Sequence, residues 1–329
     1  MFDTEAERIR LPGGSHLMDV DSRGRYALYM SAMRYALVHD LRENCRIKYP
    51  QKPPVAHKNN PWYRVLADGT LITLDGRIGI GQYVFRGTHL QRVGLSTIFR
   101  SVDGKEARYL PGRPVEVFPS EDEQLIFTIR HSAAKGGFMP ESAQGHAIDI
   151  IDATSMTHLH TINAKDEIGA GAVCRATKML ALATANRVCL YSLEDYLPKS
   201  AMEPFDSTIV WLELTPETLA IVTRHAAKSM RRLRVFHRKD ELPLADWPEL
   251  YACDGSLATR VSRPQHASLS PDGKWVALKH KTGAMIIDLN SGETQSLSAG
   301  TVNYLRFVDD GERLATSSKE SPLLFWRRK

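Results

Sequence analysis

Most of the signatures that announce chemistry are missing from this sequence. No G-x-S-x-G occurs in its 329 residues, so the strained nucleophile elbow of a hydrolase is not encoded. No G-x-x-x-x-G-K-[ST] occurs either, and an NTPase would lack its phosphate cradle. Gly79-Ile80-Gly81 and Gly169-Ala170-Gly171 lack the third glycine, the following helix and the acidic residue of a dinucleotide site, and read as bends or bulges in β structure. Four cysteines (Cys45, Cys174, Cys189, Cys253) lie far apart with no C-x-x-C pair, which argues against a disulfide framework or a zinc finger. Cys189, inside Val188-Cys189-Leu190, reads as a small buried hydrophobe, and a reducing cytoplasm is the expected compartment. No apolar run approaches the roughly 20 residues needed to cross a bilayer. The stretch Met1 to Glu7 is acidic where a secretory signal would be basic, so a soluble, non-exported protein without membrane contact is expected.

What the sequence does contain is a recurring turn. Ser268 to Leu297 reads as a four-stranded meander: a strand into Ser270-Pro271, a turn at Asp272-Gly273, a return over Lys274 to Leu278, a third strand from Ala284 to Asp288, and a second turn at Asn290 to Glu293. The same turn recurs at Asp21-Ser22-Arg23-Gly24, Asp68-Gly69, Ser120 to Glu123, Pro216-Glu217 and Asp309-Asp310-Gly311, each followed by an apolar run. With 43% hydrophobic residues there is material for a large core.

Together these stretches resemble WD40-type β-propellers. Ile287-Asp288, Ile151-Asp152 and His39-Asp40 stand where the family's Trp-Asp dipeptide would, and Trp326 is followed by Arg327. The resemblance implies an all-β fold: a seven-bladed β-propeller of four-stranded antiparallel blades in a single domain over residues 1–329. The expected blades are 16–50, 61–112, 113–164, 167–200, 205–250, 263–298 and 301–329. The last is one strand short, and in this family an N-terminal segment typically supplies it, here 6–12. Residues 1 to 4 are then expected to contribute little. Tyr83 to Val93 reads as extra strand within the second blade, and Trp275 is expected to pack between neighbouring blades.

Two patterns raise the question of metal. His158 and His160 would share one face of a strand, but no third ligand is placed nearby, and a polar face on an outer strand explains them better. The Asp-rich turns are what tight β-turns demand. No cofactor or metal is expected.

Charge placement says more than the net +5. In propellers of this kind, the loops from second to third strands and the blade connections share one rim, and the turns within the two hairpins share the other. By that rule Arg224, Lys228, Arg231 and Arg232 form the densest basic cluster on the first rim, joined by Lys279 and Lys281 and by Lys135 in the long loop from His131 to His146. Phe138 and Met139 in that loop are the apolar candidates for an anchor. The opposite rim is acidic, largely through turn chemistry. The expectation is a non-catalytic scaffold, a subunit of a multi-component assembly that docks a protein partner with an acidic surface on the basic rim. The alternatives are a lactonase-like enzyme or ligand binder with a site in the central channel, and nucleic-acid binding through the basic face, which lacks strong aromatic interleaving. First strands offer the channel a sparse set: Ser268, Ser270, Asn303, Trp62 and Glu116.

Overall fold

A strand packed on both faces needs consecutive apolar residues, whereas an outermost strand does not. Tyr26–Met30 is buried throughout, and Thr218–Arg224 is buried up to its last residue. Pro198–Ala201 and Glu7–Ile9, by contrast, are exposed or half-buried. This contrast sorts second strands into packed layers and fourth strands onto the outside. In the computed structural model the described residues are 1–11, 16–31, 35–48, 64–74, 83–86, 89–92, 97–100, 106–109, 114–131, 146–155, 157–164, 166–184, 186–224, 231–239, 243–254, 266–280, 282–318 and 323–329. Within the stretch read as one domain they form two compact units, Pro12–Glu167 and Met1–Leu11 with Ile168–Lys329.

The first unit holds three four-stranded antiparallel sheets and a separate hairpin. Sheet I is His16–Val20, Tyr26–Met30, Ala36–Asp40 and Cys45–Arg46. Sheet II is Arg64–Val65, Leu71–Leu74, Thr97–Arg100 and Glu106–Tyr109. Between its second and third strands lies the hairpin Tyr83–Arg86 with His89–Arg92, the extra strand read from the sequence. Sheet III is Pro114–Pro119, Leu125–His131, His146–Asp152 and His158–Asn163.

The second unit holds four more. Sheet IV is Ile168–Cys174, Met179–Thr184, Arg187–Ser192 and Pro198–Ala201. Sheet V is Thr208–Leu214, Thr218–Arg224, Arg231–His237 and Glu249–Asp254. Sheet VI is Ala267–Leu269, Trp275–His280, Gly283–Asp288 and Thr294–Ser298. Sheet VII is Val302–Val308, Arg313–Ser318 and Leu323–Arg327, completed by Glu7–Ile9, whose residues pair with Phe325, Leu324 and Leu323. The completing strand is thus three residues long.

Sheets pack face to face through apolar layers. Ile221 and Phe236 of sheet V meet Ala181, Val188 and Leu190 of sheet IV. Val222 and Leu233 meet Val276, Leu278 and Met285 of sheet VI. Ala277 and Ile286 of sheet VI then meet Leu305 and Leu314 of sheet VII. Gly283 permits the close approach of fourth strand to third in sheet VI, since a Cβ there would lie 1.8 Å from the Leu297 carbonyl oxygen.

The surviving Asp residues of the relic dipeptides act as turn acceptors. Asp40 accepts from the Arg42 and Glu43 amides, Asp152 from Ser155, and Asp288 from the Asn290 and Ser291 amides. A local job of this kind survives loss of the tryptophan beside it.

One expectation fails at the N-terminus. Residues 1 to 4 are expected to contribute little, yet Phe2 is 1% exposed and packs against the Trp275 and Phe307 rings at 6.1 and 5.9 Å. Trp275 itself is half-buried, with the Arg328 guanidinium 5.5 Å over its ring, and so lies where sheet VI meets sheet VII.

Candidate functional site

At one end of each sheet the second strand hands over to the third, and in sheet V this end carries the predicted basic cluster. Arg224 closes the second strand and Arg231 opens the third, directly opposite each other in register. Directly opposed residues share a face, and both are in step with Val222 and Leu233, on the side toward sheet VI. Arg232 stands opposite Thr223 and Asp254, in step with Arg234 and Phe236, on the side toward sheet IV. Arg224 and Arg232 are exposed and Arg231 is half-buried. Lys279, one residue before the end of the equivalent strand of sheet VI, is in step with Ala277, toward sheet VII. The structure therefore pairs Arg224 with Arg231 and distributes Arg232 and Lys279 to other faces. Lys228, Lys281, Lys135, Phe138 and Met139 lie outside the described residues.

The opposite end is structurally engaged. Turns there interlock: the Thr218 hydroxyl donates to the Gly273 carbonyl at 3.3 Å, and Gly311 sits against Pro271. Five of its carboxylates are ion-paired, Glu194 with Lys178, Asp195 with Lys199, Asp272 with Arg328, Asp309 with Arg313, and in the other unit Asp40 with Arg25. Burial works to raise the Asp272 carboxyl, but hydrogen bonds from Ser270, Arg328 and the Lys274 amide hold it below its ordinary value. Asp40 follows the same logic, with burial opposed by Arg25 and the Glu43 and Arg42 amides.

In sheet III, Glu123 occupies the left-handed turn position (φ 55°) that Gly24, Gly69 and Gly273 occupy in sheets I, II and VI. A side chain there costs about 1 to 2 kcal/mol. The offset is visible: the Glu123 carboxylate accepts from the Ser22 hydroxyl at 2.6 Å and from the Ala67 amide, joining the turns of three sheets.

Inner strands carry polar residues just before their turns, of which sequence reasoning named Ser268 and missed Glu213 and Asp19. Two residues before the turn in sheet VI, Ser268 accepts the Phe307 amide of sheet VII at 3.2 Å. At the matching place in sheet V, Glu213 accepts the Leu269 amide of sheet VI at 2.5 Å. Asp19 of sheet I does the same for Val65 of sheet II at 3.1 Å. Aligning the chain on its turns, rather than scanning for catalytic types, would have found the set. Burial pushes the Glu213 carboxyl up to about 8, against the pull of the Leu269 amide, Arg306 and the Trp211 indole. Of the channel residues expected earlier, Ser270 is consumed by its own turn, accepting the Trp275 amide at 2.9 Å, and Asn303 is half-buried. Trp62 lies outside the described residues.

The two histidines do not share a face. A bulge at Leu159 sets His158 opposite Ile151 and His160 opposite Ile150, and consecutive residues point to opposite faces. His158 instead bonds the Thr161 hydroxyl at 2.9 Å, which donates to Asp149 at 2.7 Å. Among the described residues no group of three or more His, Cys, Asp or Glu converges as a metal site, and no helix is long and apolar enough to cross a membrane.

No protein-family model matches the chain, and no curated protein does. Solved structures match along nearly its whole length. The β-propeller domain of Cps50 (Swd1) from Myceliophteria thermophila superposes with a TM-score of 0.61 at 12% identity, covering 98% of this chain and 99% of that one. The chain folds as a WD40-like β-propeller. Kuenenia stuttgartiensis hydrazine synthase gives a TM-score of 0.59 at 13% identity, covering 98% and 97%. At such identities the likeness is one of fold.

Proposed function

We propose that this propeller is a non-catalytic protein-interaction module of seven blades, sheets I to VII, whose ring is closed by Glu7–Ile9 and which docks an acidic partner surface. The observation that carries the reading is the contrast between the two ends of sheet V's unit. The hand-over end presents Arg224 directly beside Arg231, while the turn end is occupied by interlocked turns and ion pairs. Two guanidinium groups side by side at a strand end concentrate positive charge, which complements an anionic partner surface. The likeness to the Cps50 (Swd1) propeller domain and to hydrazine synthase is one of fold, so the reading rests on the charge placement. Cys45, Cys174 and Cys189 form no disulfide among the described residues, in keeping with a cytoplasmic location.

The test is capture from the native source with the intact chain, followed by binding kinetics on the partner obtained. Arg224→Glu with Arg232→Glu, both exposed, should slow association about tenfold and flatten its salt dependence, with an unchanged melting temperature. Glu217→Ala with Glu293→Ala at the opposite end should leave binding intact. Loss of binding in the second pair and not in the first would reverse the assignment of the docking end.

A further inference from the structure

The seam between sheets VI and VII is built like a peptide-recognition pocket, and the chain's own first residues fill it. Phe2 inserts its ring between Trp275 and Phe307, while Met1 on one side of it stays 67% exposed. The Gln295 side chain, on the outer strand of sheet VI, reads the backbone on both sides: its Oε1 accepts the Phe2 amide at 2.7 Å and its Nε2 donates to the Phe2 carbonyl at 2.8 Å. The Asp3 amide donates to the Arg327 carbonyl at 2.8 Å, and the Lys329 amide to the Met1 carbonyl at 3.0 Å. Apart from an exposed Asp3–Lys329 pair at 3.6 Å, all polar contacts go to main chain, so any extended segment could make them, and only the ring is selected.

We propose that this seam is a binding site for a short extended segment bearing phenylalanine, and that it takes residues 1–3 of a second copy of the chain in place of its own. These contacts are chemically the same whether the segment arrives in cis or in trans. Only effective concentration separates the two cases. The cis tether is short and holds the segment at high effective concentration, so exchange sets in as chain concentration rises: Glu7–Ile9 is a three-residue strand, and Thr4 to Ala6 join it to Asp3 without any strand pairing. Freeing so short a segment recovers its conformational entropy, and exchange of an identical element between copies is a low-cost route to association.

The test places photoactivatable benzoylphenylalanine at position 2 of the full chain and mixes isotopically heavy and light preparations before irradiation. Exchange predicts heavy–light cross-links to peptides containing Trp275 or Phe307, increasing with concentration and cut several-fold by Gln295→Ala. Cross-links confined to a single isotope at every concentration would overturn the exchange. In a second measurement a fluorescent peptide of residues 1–9 is added to the Phe2→Ala full chain. It should bind there more tightly than to the wild type, and a peptide with alanine at position 2 should not. Equal binding of both peptides, or of neither, would overturn the site. None of these readouts involves Arg224, so the docking proposal stands or falls separately.

Discussion

Replacing Glu213 with glutamine should remove a specific pH dependence of stability. Burial raises this carboxyl from an ordinary value of 4.5 to about 8. Between those two values the folded chain keeps a proton that the unfolded chain has released, so stability is full below pH 4.5 and is lost as pH rises toward 8. The slope is about 1.4 kcal/mol per pH unit for one proton, and from pH 5.5 to 7.5 the wild type should lose roughly 3 kcal/mol by this route. The other displaced groups leave the window clear. Asp40, Asp152, Asp195 and Asp272 are held below their ordinary 3.8, and their contributions are lost only as pH falls through that region. Tyr26, Tyr29 and Tyr191 are raised above 10 by burial. The assay is urea denaturation of wild type and Glu213→Gln at constant ionic strength across pH 5 to 9. Subtracting the two curves cancels the histidines common to both. The difference should fall with the stated slope and flatten above pH 8, with the variant the more stable at the alkaline end. Parallel curves would refute the claim that this carboxyl is neutral in the folded chain.

Three further outcomes are expected. Glu123→Ala should destabilise by about 2 to 4 kcal/mol in denaturant titration, because the Ser22 and Ala67 donors lose a charged acceptor shared by three turns; a loss under 1 kcal/mol would show that the turns hold without it. Gly273→Ala should cost about 2 to 3 kcal/mol by thermal unfolding, since its φ of 68° is left-handed and a Cβ would lie 2.7 Å from the Thr218 hydroxyl; an unchanged midpoint would contradict that packing. Trp275→Ala should cost about 2 to 4 kcal/mol and deprotect the Phe2 amide in hydrogen exchange; stability retained with a partner lost would instead place Trp275 at a docking surface.

The turns, the middle strands and their order were legible in the amino-acid sequence. Asp21, Ser120 and Ser270 each satisfy backbone amides within five residues of themselves, and consecutive apolar residues mark Tyr26–Met30 and Thr218–Arg224 as doubly packed. Such signals are local, so a few residues suffice to write them. The extra hairpin of sheet II was legible for the same reason, as alternation bounded by breakers, whereas the place of the N-terminal strand beside Leu323–Arg327 was expected from the family resemblance. The tertiary structure alone decided the rest. Ala67 finds its acceptor on Glu123 56 positions away, Leu269 finds Glu213 at 56, Ser22 finds Glu123 at 101, and Phe2 finds Gln295 at 293. The bulge at Leu159 parted His158 from His160, and register alone set Arg224 beside Arg231 while turning Arg232 to the other face. A two-residue period gives a side chain's face only until an extra residue interrupts it, and it says nothing of which strand arrives opposite.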